Sequence, residues 1–299
     1  MRREPASPEL AADGLPPLRL VAERHGLFAR KSLGQHFLFD LNLTRRIADA
    51  AGDLSTGTTI EVGPGPGGLT RGLLAAGAAH VIAIERDERF VPVLAEIAAA
   101  YPGRLEVMTA DAMKVAVHAL GATPRRVVAN LPYNVGTPLL IDWLEHPEDF
   151  VGLTVMLQKE VVERVVAAPG TDAYGRLAVA AQWHWTARRV FDVPAGAFVP
   201  PPKVASAILR LEPRAEPVAP APRAMLGRVV AAAFGQRRKM LRSALRALGG
   251  DPLAPLAAAG IDPTARAETL PVTAFCALAR AYAARAASGC GATGPREAP

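Results

Sequence analysis

Short runs of apolar and β-branched residues recur through the first two-thirds of the chain. They are TTIEV (58–62), HVIAIE (80–85), LEVMTAD (105–111), RRVVAN (125–130) and FVGLTVMLQ (150–158). Segments with apolar positions at helical spacing separate them, among them LTRGLLAAG (69–77) and FVPVLAEIAAAY (90–101). Strands alternating with helices at this interval predict a parallel, doubly wound α/β sheet. RRVFDV (188–193) and KVASAILRLE (203–212) read as closing strands of the same sheet. PRAEPVAPAPR (213–223) places four prolines in eleven positions and is the best candidate linker. The Ala- and Leu-rich stretch beyond it reads as a small all-α domain. The expected division is a disordered tail over 1–17, an α/β domain over 18–212, a helical domain over 213–287 and a second disordered tail over 288–299.

Composition narrows the class without naming it. Half of the 299 residues are hydrophobic, enough for a sizeable core. Two cysteines, Cys276 and Cys290, can neither staple a secreted scaffold nor build a Cys-based zinc site, and no metal site is expected. MRREPASPEL lacks a following apolar region, and no run of 18 apolar residues exists to span a bilayer, so a soluble, cytoplasmic, monomeric protein is expected. The formal charge of +6 suggests an anionic partner.

The first strand runs into Glu61-Val62-Gly63-Pro64-Gly65-Pro66-Gly67-Gly68-Leu69-Thr70, and a helix follows. Gly63, Gly65 and Gly68 match the dinucleotide-binding spacing, so two cofactor classes compete here. NAD would need backbone N–H donors for its pyrophosphate, and Pro64 and Pro66 remove two. S-adenosyl-L-methionine, with one carboxylate and no phosphate, tolerates that loss better. Glu85 ends the second strand, where a carboxylate can accept from both ribose hydroxyls. Asp111 ends the third, where it can accept from an adenine amino group or simply cap the next helix. Together these elements favour an adenosine-containing cofactor.

The fourth strand runs into Asn130-Leu131-Pro132-Tyr133. The exocyclic nitrogen of adenine is a poor nucleophile because its lone pair is delocalised into the ring. Two acceptors on its hydrogens, the Asn130 side-chain oxygen and the Leu131 carbonyl, can draw it toward tetrahedral geometry, with Pro132 stiffening the backbone. Tyr133 offers a face for the base, worth about 1–3 kcal/mol. Carbonyl dipoles near a sulfonium carbon also suit the transition state. No general base is required.

Between Pro217 and Gly250 there is no acid, yet seven basic residues fall there, including Arg237, Arg238, Lys239, Arg242 and Arg246. A continuous helix would put Arg238, Arg242 and Arg246 on one face and Leu241, Leu245 and Leu248 on another, an arrangement suited to phosphate contacts. Arg24, Arg30 and Lys31 add positive charge near the start.

Five segments occur in a telling order: Lys31-Ser-Leu-Gly-Gln-His-Phe-Leu38, the glycine loop 61–70, Asn130–Tyr133, Phe198-Val-Pro-Pro-Pro-Lys-Val-Ala-Ser206 and Phe234-Gly-Gln-Arg-Arg-Lys239. Over roughly 24–285 the chain resembles the bacterial small-subunit (16S) rRNA adenine dimethyltransferases. The resemblance implies a class I, Rossmann-like methyltransferase sheet. It also implies transfer of four methyl groups from S-adenosyl-L-methionine to two adjacent adenines near the 3′ end of 16S rRNA, in the small subunit or its precursor. By position it assigns His36, Leu38, Gly63, Glu85, Asp111 and Asn130 to the cofactor, and Phe198 to the base beside Tyr133. His36 departs from the Asn usual in that family. Two neighbouring readings are a ribosome-assembly checkpoint that acts mainly by binding and a resistance methyltransferase of large-subunit rRNA. An NAD-dependent oxidoreductase leaves the Asn130 turn and the basic stretch without a role.

Overall fold

Buried parallel strands have helices on both faces, so they read as nearly continuous apolar runs. The computed structural model describes residues 11, 13–30, 34–236 and 238–290, and it places these runs in one sheet. Expectations attached to residues 1–10 and 291–299, to Lys31 and to Arg237 lie outside the described residues. A short strand β1 (Phe37–Leu38) precedes β2 (Thr58–Val62), β3 (His80–Glu85), β4 (Leu105–Thr109), β5 (Arg125–Asn130), β6 (Gly152–Gln158) and β7 (Trp185–Val193). Then come β8 (Phe198–Val199), paired with β1, and β9 (Ser206–Pro213).

The main sheet has seven strands in the order β4-β3-β2-β5-β6-β9-β7. The first five are parallel, and β9 runs antiparallel to β6. All five residues of β2 are buried, whereas the edge strand β4 has none. The chain winds outward from β2 to β4, then crosses to β5 on the other side of β2. That reversal opens a crevice at the carboxyl ends of β2 and β5, the usual ligand position in open α/β sheets. Helices Gly68–Ala75, Val91–Ala100 and Gly136–Leu144 fill the connections. Leu73, Phe90, Leu94 and Ile47 are buried in one core with Phe37, Leu38 and Phe198.

The tail expected through residue 17 ends earlier. Arg71, buried in the helix after the glycine loop, makes a bidentate ion pair with Asp13 and donates to the Pro16 carbonyl at 2.8 Å. Leu15 packs against the core. A buried guanidinium without such partners would be strongly destabilising, which is why the segment is held.

The chain divides into two units. One runs through Val162 and adds Ala187–Pro213; the other joins Glu163–Thr186 to the chain from Arg214 onward. The helical unit is therefore not purely C-terminal. Tyr174, Ala178, Val179 and Trp183 belong to its core with Leu226, Val229, Leu245, Phe275 and Leu278. The Tyr174 hydroxyl donates to the Leu270 carbonyl and the Trp183 indole N–H to the Ala219 carbonyl, each at 2.9 Å. The proline-rich segment is not a free tether, since the N–H groups of Arg214 and Val218 donate to the carbonyls of His184 and Trp183. The last helix, Val272–Cys290, runs past the expected limit at 287.

Candidate active site

A cavity of about 300 Å³ opens at the carboxyl ends of β2, β3, β4 and β5. All eleven cavity residues singled out in the sequence line it: His36, Leu38, Gly63, Gly65, Glu85, Asp111, Asn130, Leu131, Pro132, Tyr133 and Phe198. Its floor is the glycine loop. Gly65 has φ +54°, a left-handed conformation that favours glycine, and a Cβ on Gly68 would come within 2.2 Å of the Leu38 carbonyl. Leu38 thereby packs directly over the start of the following helix.

Three N–H groups of the loop are already committed. Gly63 N–H donates to the Ile84 carbonyl (2.9 Å), Gly65 N–H to Glu85 Oε2 (3.0 Å) and Gly67 N–H to the Pro64 carbonyl (3.0 Å). Together with the two prolines, this leaves no free N–H from Gly63 through Gly67. Glu85 also accepts from Asp87 N–H at 2.8 Å, and burial raises its pKa. Asp111 accepts from Met113 N–H at 3.1 Å, capping the turn Ala112–Lys114, and Arg86 lies 3.9 Å from its other oxygen. Both the cap and the cavity position considered for Asp111 are thus occupied by the same carboxylate.

Sequence reasoning passed over Glu61. It ends nearly buried on β2, lines the cavity, and accepts from the Thr70 hydroxyl at 2.6 Å. Burial pushes its pKa up to about 8; the Thr70 bond opposes this and the Glu85 charge adds to it. The available signal was an acid at a strand end immediately before the glycine loop. Asp87 behaves oppositely: bonded by Arg89 and by Gln35 Nε2, it is held at about 2.

Across the cavity, Leu131 N–H donates to the Met156 carbonyl, and the N–H groups of Val135 and Gly136 both donate to the Pro132 carbonyl. These bonds fix the turn and leave the Leu131 carbonyl available as an acceptor. Asn130 Nδ2 donates to the His36 backbone carbonyl at 3.4 Å, so the amide oxygen is its remaining acceptor. Tyr133 is half-buried, with its hydroxyl 2.8 Å from Ser206 Oγ. Phe198 does not stand open beside it. At 2% exposure it is packed in the core by the β1–β8 pairing, and its ring meets His36 edge-on at 6.4 Å.

The basic stretch differs from the single helix that periodicity suggested. Helix Arg223–Gly235 ends before Arg238, Met240 is extended, and helix Leu241–Ala244 passes into a 3₁₀ turn over Leu245–Leu248. The N–H groups of Leu241 and Arg242 donate to the carbonyls of Ala265 and Pro263, so a tertiary pairing replaces the helical one. Leu241 and Leu245 are still buried, while Arg238, Lys239, Arg242 and Arg246 are exposed. Asp262 lies near enough for Arg242 to lower its pKa, after the larger effects of its own Thr264 bonds.

Among the described residues one group has metal-ligand types together: His118, His146 and Asp149, on loops leading into β5 and β6. The two imidazoles stack at 3.7 Å and 8°, so their in-plane lone pairs run parallel and do not converge on an ion. No described helix is long and apolar enough to cross a membrane.

An open α/β sheet with an acid-lined cavity at its strand ends and an Asn-Leu-Pro-Tyr turn beside it defines a class I methyltransferase. The ribosomal RNA adenine dimethylase family profile matches residues 26–284, and the chain belongs to that family. It is 63% identical over 273 residues to the ribosomal RNA small subunit methyltransferase A of Rhodospirillum rubrum, covering 91% of this chain and 94% of the relative. Among solved structures it resembles a dimethyladenosine transferase from Plasmodium falciparum, with TM-score 0.72, 24% identity, and coverage of 84% of this chain and 98% of that one. The 23S rRNA methyltransferase ErmE superposes with TM-score 0.62 at 28% identity, covering 82% and 98%.

Proposed function

We propose that this enzyme transfers methyl groups from S-adenosyl-L-methionine to N6 of two adjacent adenines near the 3′ end of 16S rRNA. It acts as a monomer in the cytoplasm, on the small subunit or its precursor, and so contributes to subunit assembly. The observation that carries this reading is the single cavity that joins three carboxylates to the Asn130 turn. A cationic, phosphate-free donor fits that set: Glu85 and Asp111 are acceptors, and Gly63 through Gly67 leave no free N–H for a phosphate. His36, Leu38, Gly63, Gly65, Glu85, Asp111 and Asn130 would hold S-adenosyl-L-methionine, which supplies an activated methyl group.

The chain's own groups do the rest. A target adenine swung out of its stack reaches the turn, because N6 inside paired RNA is inaccessible. Asn130 Oδ1 and the Leu131 carbonyl accept its amine hydrogens, which localises the lone pair toward the donor. Pro132 keeps these acceptors from rotating away, and Tyr133 stacks on the base while Ser206 holds its hydroxyl. Phe198 backs the pocket from the core. Arg238, Lys239, Arg242 and Arg246 contact phosphates. Mass spectrometry of rRNA from cells lacking the protein tests the reading. Loss of adjacent dimethyladenines in the small subunit is expected; a loss confined to the large subunit would transfer the function to the resistance class.

A further inference from the structure

Arg71 sits one turn into the helix that follows the glycine loop, yet it does not line the cavity. Its side chain is 1% exposed and that of Asp13 is 4% exposed. The guanidinium donates twice to the Asp13 carboxylate and once to the Pro16 carbonyl. Asp13 also accepts from Leu15 N–H at 3.2 Å. The N–H groups of Ala11 and Gly14 donate to the carbonyls of Leu15 and Ala11, both at 2.8 Å, so the segment closes on itself. It runs into helix Leu18–Arg24, whose far end is tied by Arg24 and His25 to Glu96 on helix Val91–Ala100. These two helices press on the loop itself. A Cβ on Gly67 would come within 2.3 Å of Ile97 Cδ1, and one on Gly68 within 3.3 Å of Leu18 Cδ2. Gly63, Gly65 and Gly67 all have positive φ, a backbone with many alternatives when nothing confines it.

We propose that Asp13 and Arg71 are positioning residues for the methyl donor: their buried pair fastens an N-terminal strap that holds the glycine loop in its binding shape. This role rests on the S-adenosyl-L-methionine reading of the cavity. Asp13, Leu18, Arg71 and Ile97 all lie outside the cavity lining, so the strap acts on donor binding only through the loop. Without Asp13 the buried guanidinium must find water, and helix Gly68–Ala75 has to shift to let it. The loop moves with that helix, because Arg71 N–H donates to the Gly67 carbonyl at 2.9 Å. Replacing both partners by apolar side chains removes the demand for water and fills the same space.

The test uses the full-length enzyme below the melting range of every variant. S-adenosyl-L-methionine is titrated calorimetrically, and single-turnover methylation is measured on small subunits from cells lacking the protein. Asp13→Ala should raise donor Kd about 10-fold, with the rate at saturating donor within about 3-fold of wild type. Asp13→Leu combined with Arg71→Met should return Kd to within about 3-fold of wild type. Hydrogen exchange over residues 63–70 should quicken in Asp13→Ala and slow again in the double variant, while residues 130–136 stay unchanged. An unchanged Kd with a lowered melting temperature would overturn the proposal, since the pair would then serve stability alone. So would a saturated rate that falls as far as affinity, or a double variant as weak as the single one. Should Asp13→Ala fail to fold, Asp13→Asn, which keeps an acceptor for Arg71, decides by the same comparison of Kd with rate. Wild-type enzyme that does not bind S-adenosyl-L-methionine would instead defeat the underlying reading.

Discussion

The cavity and the basic stretch both work through polar side chains, but they hold them in opposite ways. In the cavity Glu61, Glu85, Asp111 and Asn130 are each already bonded to this chain, to Thr70, Gly65, Met113 and His36 respectively. In the basic stretch, Arg238, Lys239, Arg242 and Arg246 stand in solvent, and their side chains hold no hydrogen bond or close ion pair with the described residues. The first arrangement loses little side-chain freedom on binding and suits a small ligand in one pose. The second gives long-range attraction that is screened by salt and tolerant of sequence, as suits a phosphate backbone. Substitutions in the two regions should therefore fail differently.

The largest effect is expected at Asn130. Asn130→Ala should lower single-turnover methylation by about 10³-fold, on the order of 4 kcal/mol of transition-state stabilisation, while donor Kd changes less than about 10-fold. Titration and turnover measured together check this; if both fall equally, the cavity is one binding unit and the contrast with catalysis disappears. Next comes the double charge reversal Arg238→Glu with Arg242→Glu. Subunit affinity should drop about 10- to 100-fold, the slope of log K against log salt should shrink by about 1.5–2, and turnover at saturation should persist. An unchanged slope would remove the phosphate-contact role.

The last effect is on stability rather than function, and concerns pH. Burial raises Glu61 to about 8, so between its ordinary value and that one the folded protein holds a proton the unfolded chain has released. The associated stability is fully present below the ordinary carboxylate pKa and is lost as pH rises through about 8, on the order of a few kcal/mol. Melting of donor-free enzyme should fall over that range, and Glu61→Gln should flatten the fall without abolishing it, because Glu85 is also raised. Identical melting profiles for the two proteins would mean the Glu61 carboxyl is solvated.

The regions also differ in how far the sequence reveals them. β2, β3 and β5 fold with the bounds their apolar runs predict, and their ends deliver Gly63, Glu85 and Asn130 to one cavity. Alternation of buried runs is a local property, so local reading recovers it. The β1–β8 pair joins two-residue strands about 160 positions apart, too short to carry a periodic signal. The helix expected over Arg238–Arg246 fails because the carbonyls of Pro263 and Ala265, distant in sequence, capture its N–H groups. Helix Arg176–His184 reads like any other helix, and only its packing with Leu226 and Phe275 assigns it to the second unit. Glu61 was visible as a residue, but its perturbed protonation arises from burial, which no single position announces.

That discontinuity has a consequence for the inheritance of the helical unit. A chain stopped at Pro213 would keep Tyr174, Ala178 and Trp183 while losing the helices that cover them, and would carry a bare apolar face. Recombination at one breakpoint therefore cannot graft this unit onto another methyltransferase sheet or strip it away. Three coordinated crossovers are needed, at 162/163, 186/187 and 213/214, so the helical unit and the catalytic sheet are constrained to evolve as one piece.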